Sequence, residues 1–153
     1  MKIPNIKNFI YEEFFPKEYF EELKKNPNYY IWMMNSLDQR IPPLAQFIRD
    51  RYNRSVTIND WFFNQDGEYN YSGVRPLDCK DGAKLSRHKL GLCIDIKVQG
   101  MAAPEVQEDI INNYDIFKEV GLTTIEINTP TWTHLSVENT SWRKEEGLWL
   151  IKP

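Results

Sequence analysis

The stretch SRHKLGLCIDIKV, residues 86–98, decides how the chain is read. In its second half, LCIDIKV (92–98), Leu92, Ile94, Ile96 and Val98 alternate with Cys93, Asp95 and Lys97. That alternation predicts a strand with one apolar and one polar face, and it puts Asp95 on the polar face. The first half carries His88, seven positions before Asp95, with Gly91 between them. The chain has one other histidine, His134, in a second alternating segment, TWTHLSV (131–137). There Leu135 and Val137 oppose Trp132, His134 and Ser136. If the two strands are neighbours, His88, Asp95 and His134 converge from a loop and two strands. Two imidazoles and a carboxylate are a common ligand set for catalytic zinc, with a fourth position left for water or substrate. The simpler alternative is that His88, beside Arg87 in a polar loop, is solvated.

Working outward, PKEYFEELKK (16–25) predicts a short helix, with Pro16 in its first turn and an end near Asn26-Pro27. A second helix is expected at about 42–53, with Leu44, Phe47 and Ile48 as its apolar stripe. SVTINDWFF (55–63) alternates as a half-buried strand does. Residues 64–85 contain Gly67, Gly73, Pro76 and Gly82 and predict a long loop; loops of that length are usually either functional or disordered, and the arginine between turn residues in YSGVRP favours function. A third helix is expected from Pro104 to Val120, burying Val106, Ile110, Ile111, Tyr114 and Phe117 and ending at Gly121. TTIEI (123–127), with Ile125 and Ile127 opposing Glu126, pairs with 131–137 across Asn128-Thr129-Pro130 as a hairpin, and GLWLIKP adds a closing strand. The expected class is α+β: N-terminal helices packed on a small, mostly antiparallel sheet with one helix inserted.

At 153 residues, with 41% apolar and 14% aromatic residues, the chain fits a single domain spanning 1–153. A net charge of −3 and scattered basic residues leave no footprint for nucleic acid or an anionic membrane. No apolar run approaches the roughly 20 residues that span a bilayer. The N-terminus lacks the unbroken apolar run of a secretory signal, so cytoplasmic synthesis is expected. Cys79 and Cys93 do not form a CxxC pair and read as free thiols.

SRHKLGLCIDI resembles the S-x-H-x-x-G-x-A-x-D motif of the M15 family of zinc D-Ala-D-Ala carboxypeptidases and related peptidoglycan endopeptidases, whose fold is shared with the hedgehog signalling domain. WTH (132–134) is similar to the element that carries the family's last zinc ligand, and YSGVRP (71–76) to its S-G-x-R-[PS] element. Three elements in the right order across 71–137 carry the resemblance. It implies zinc held by His88, Asp95 and His134, with Arg75 stabilising the transition state or gripping a substrate carboxylate. The implied substrate is an amide bond in a peptidoglycan stem peptide, cut by a carboxypeptidase or an endolysin-type endopeptidase. A phage-type endolysin released to the wall on lysis, or a phage accessory protein, would fit.

Two departures accompany the resemblance. Cys93 replaces a small alanine and is either near the metal or a packing residue. Thr131 stands where many members carry an acidic residue, three positions before the last histidine. Glu126, on the polar side of its strand, is the expected general base, and Glu138 a second choice. Ser86 and Ser136 are expected to orient ligands, and Tyr71 and Trp132 to wall the cleft. The alternative function is a zinc-containing, non-catalytic binding module of the same fold.

Overall fold

The computed structural model describes residues 3, 6–63 and 67–153. The expected loop's residues 64–66, and residues 1, 2, 4 and 5 of the N-terminal reading, lie outside the described residues. Three helices come first, α1 (Lys17–Lys25), α2 (Tyr29–Asn35) and α3 (Ile41–Tyr52). A two-residue strand follows, β1 (Val56–Thr57), then a 3-10 turn at Arg87–Leu90 leading into β2 (Cys93–Val98). Helices α4 (Ala103–Asn112) and α5 (Tyr114–Glu119) precede β3 (Thr124–Glu126), β4 (Thr133–Ser136) and β5 (Trp149–Ile151). The sheet order is β1-β2-β4-β3-β5, antiparallel except for the parallel β3/β5 pair. The α+β expectation holds, with the helices first and the closing strand in place.

Register sorts the sheet into rows. Ile94, Leu135 and Ile125 lie opposite one another across β2, β4 and β3, and so do Asp95, His134 and Glu126, one residue on. Cys93, Ser136 and Thr124 form the row on the other side of the isoleucine row. Successive residues point to opposite faces, so the Cys93 and Asp95 rows share one face and the Ile94 row occupies the other. On the Ile94 face, Leu44 and Ile48 of α3 and Val106 and Ile110 of α4 join Ile94, Ile96, Ile125 and Leu135 in one buried cluster. The polar face of β2 is covered as well: Cys93 and Asp95 are buried and Lys97 half-buried.

Four expectations need correction. The strand at 55–63 stops after Thr57. Beyond it, Asn59 is fully buried, its backbone N–H donates to the Glu13 carbonyl (3.1 Å), and its side chain bridges the Phe15 carbonyl and the Ser72 N–H. These bonds tie the segment to the N-terminal turn and the long loop instead of to a sheet neighbour. The helix from 104 to 120 is broken at Asn113, whose side chain bonds Asp109 and competes with the helical backbone. Ile111 of α4, expected to be buried, is 42% exposed. Helix α2 was not anticipated after Pro27; Tyr29 and Trp32 pack against Tyr19 of α1.

Gly91 shows how the turn before β2 is held. It ends the 3-10 turn at φ 66°, and a Cβ there would stand 1.8 Å from the Ser36 carbonyl oxygen. Both the left-handed backbone and the close approach of the α2–α3 connection call for glycine. Gly91→Ala is expected to lower stability by about 2 kcal/mol or more in denaturant unfolding; a change below about 0.5 kcal/mol would contradict this packing.

Candidate metal centre

The long loop delivers one half of the site by threading its backbone between fixed carbonyls and amides. Val74 donates its N–H to the Phe14 carbonyl (2.8 Å), and a Cβ on Gly73 would come within 2.1 Å of the same oxygen. Only glycine fits there, and its carbonyl accepts from His88 Nδ1 at 2.7 Å. The loop also accepts at the Ser72 carbonyl from the Asp95 N–H (2.7 Å), while the Arg75 N–H donates to the His88 carbonyl (3.1 Å). The SGVRP element thus sets the positions of two of the three expected ligands as well as supplying Arg75.

Asp95 stands at the centre. Oδ2 lies 3.2 Å from His88 Nε2 and 3.2 Å from an Arg75 terminal nitrogen, and Oδ1 lies 2.8 Å from His134 Nδ1. Burial raises the Asp95 pKa, but hydrogen bonds from His134 and His88 outweigh it and hold the carboxyl below the usual carboxylate range. His88 is buried, and burial pulls its pKa down against the attraction of Asp95. A carbonyl only accepts, so His88 Nδ1 donates to Gly73, and Nε2 faces the Asp95 carboxylate either as the N–H of an imidazolium or, in a neutral ring, as a lone pair that a metal cation could take up in place of the proton.

His134 has a matching arrangement. Its Nε2 lies 3.0 Å from Ser136 Oγ, a hydroxyl able to accept the ring N–H and so free Nδ1 as a ligand atom. Ser86 caps the 3-10 turn, its Oγ accepting from the His88 N–H at 3.3 Å. The structure therefore brings together His88, Asp95, His134 and Arg75, with Ser86 and Ser136 behind them.

Cys93 belongs to the same cluster. His88, Cys93 and His134 are all buried, their potential ligand atoms lie within 4.8 Å of one another, and the group could hold a metal ion. The sequence signal for this was the alternation that puts Cys93 and Asp95 on one face. Lys97 continues that face, donating to Ser72 Oγ (2.8 Å) over the Tyr69 ring. Burial pushes its pKa down to about 8.

The remaining candidates separate. Glu126 is half-buried and directly opposite His134, on the site face. Glu138, the second choice for the base, is engaged elsewhere: it forms ion pairs with Arg87 and with Arg143 (2.9 Å). It lines a cavity of about 790 Å³ together with Arg143, Thr123, Arg40 and Tyr114, which contains none of the expected ligands. Tyr71 is tied through its hydroxyl to Glu18 of α1, and its carbonyl accepts from Arg75 Nε (2.6 Å). Trp132 is half-buried just before β4, and Thr131 is exposed.

No family model, curated protein or solved structure matches the chain. Among the described residues, no helix is long and apolar enough to cross a membrane.

The Arg143 side chain is 1% exposed and its partner carboxylate is Glu138. Glu138→Gln is expected to destabilise the fold by about 1–2 kcal/mol, because it removes the charge paired with a guanidinium that keeps its bonds to the Thr123 carbonyl and Thr124 Oγ1. Denaturant unfolding at neutral pH checks this, and an unchanged midpoint would show that the pair contributes no net stability.

Proposed function

We propose that this chain is a zinc-dependent amide hydrolase of M15 type, acting on a peptide of the peptidoglycan stem. The observation that carries the proposal is the pair of imidazoles facing one buried carboxylate, with His88 Nε2 and Asp95 Oδ2 opposed at 3.2 Å. The ligand elements also occur in the order and with the residue types of the resemblance. His88 Nε2, an Asp95 oxygen and His134 Nδ1 would hold the ion. Zinc held by such a set lowers the pKa of a water to about 7 and polarises a carbonyl.

The chain's own groups supply the rest. The Gly73 carbonyl and Ser136 Oγ fix the two rings so that one nitrogen of each faces Asp95. Glu126, level with His134, takes the proton from the attacking water on a carboxylate oxygen and passes it to the departing amine. Arg75 leans on Asp95 at 3.2 Å and presents its fork to the oxyanion or to a terminal substrate carboxylate.

A second reading rests on Thr131. Where many members of the resembled family have an acidic residue, this chain has an exposed threonine. A domain that keeps the metal without hydrolysing anything, and serves as a binding module, follows if Glu126 does not replace that acid.

The test starts from elemental analysis of protein purified without a metal-affinity tag. About one zinc per chain is expected, and little in His88→Ala. Glu126→Gln is then expected to keep its zinc and to lose turnover of a muropeptide by at least about 100-fold. Zinc without turnover in the wild-type chain would favour the binding module, and no zinc even after supplementation would sink both readings.

A further inference from the structure

Cys93 replaces a position where the resembled family has a small alanine, and the structure gives the thiol a place that packing alone does not require. It lies on the site face of β2, two residues from Asp95, and its strand neighbour on β4 is Ser136, the hydroxyl that contacts His134. Diagonal neighbours of this kind are within reach of each other across an antiparallel pair. Cys93 is fully buried and free of any disulfide. The apolar core lies on the other face, with Ile94 and Ile96.

Distances favour coordination. The sulfur and one nitrogen from each imidazole already lie within 4.8 Å of one another. In a tetrahedral zinc site, with Zn–N about 2.0–2.1 Å and Zn–S about 2.3 Å, ligand atoms stand roughly 3.3–3.8 Å apart. For these three ligand atoms, closing from a spread of up to 4.8 Å takes movements of about an ångström, and Asp95 reaches the same two rings. A thiolate also narrows the choice of metal, since soft sulfur favours zinc over magnesium, calcium or manganese.

We infer that Cys93 is a metal ligand, its thiolate joining His88, His134 and Asp95 around the ion in the resting protein. The inference rests on the metal site proposed above and adds a fourth ligand to it. Four such ligands would leave no position for water, so hydrolysis at this site would require either a fifth coordination position or withdrawal of the sulfur.

The test is the absorption spectrum of the full chain loaded with cobalt(II), a spectroscopic stand-in for zinc. The wild-type protein is expected to show visible bands of a tetrahedral ion and an intense near-ultraviolet band from sulfur-to-cobalt charge transfer. Cys93→Ala is expected to lose the near-ultraviolet band, keep visible bands, and bind the ion at least about tenfold more weakly. Cys93→Ser keeps the size of the side chain and guards against a packing defect. Cobalt bound by the wild-type protein without a charge-transfer band would overturn the role of Cys93 and leave the His88, Asp95 and His134 site standing. No cobalt uptake at all would overturn the metal site itself, and this inference with it.

Discussion

The pairing register of β2 with β4 is the constraint on which the site depends. Asp95 faces His134 because Ile94 faces Leu135 one row away, and the second pair is locked into the core under α3 and α4. A slip of one residue would bury the polar row among isoleucines and turn the apolar row outward, so core burial enforces site geometry. β3 extends the same row, bringing Glu126 level with His134 without any contact of its own to the ligands being needed. Hydrophobic packing on one face thus sets the chemistry on the other.

A carboxylate as buried as Asp95 is costly unless its oxygens are occupied. Here both are, by two imidazoles and a guanidinium, and the carboxyl stays ionised well below its usual range despite burial. Since the folded pKa lies below the unfolded one, this contribution to stability is present at neutral pH and is lost as pH falls through the folded pKa. The loop that supplies Arg75 is tied down by backbone bonds from Phe14, Asp95 and His88. Site and loop therefore form one network in which no polar partner can be removed without exposing another.

Much of this was legible in the sequence. Strict alternation placed Asp95 and Glu126 on polar faces, and the resemblance of SRHKLGLCIDI, WTH and YSGVRP to the M15 elements implied that His88, Asp95, His134 and Arg75 meet. What escaped depends on tertiary contacts. Helix α2 lies after a proline, and its aromatic side chains pack on Tyr19, which only the fold brings close. The break at Asn113 comes from a side chain preferring Asp109 to solvent. The early end of β1 follows from the burial of Asn59, a residue whose alternation still fitted a strand. Glu138 sits on the site face by alternation, yet two arginines claim it, one of them distant in sequence. Cys93 was ambiguous because a small buried residue and a ligand look alike in sequence, and only the fold shows that both imidazoles lie beside it.

The most direct measurement is a crystal structure of the zinc-loaded protein with anomalous data collected at the zinc edge. The account predicts one strong peak at bonding distance, about 2.0–2.2 Å, from His88 Nε2, an Asp95 carboxylate oxygen and His134 Nδ1. A peak held by other residues, or none at full zinc occupancy of the crystal medium, would contradict it.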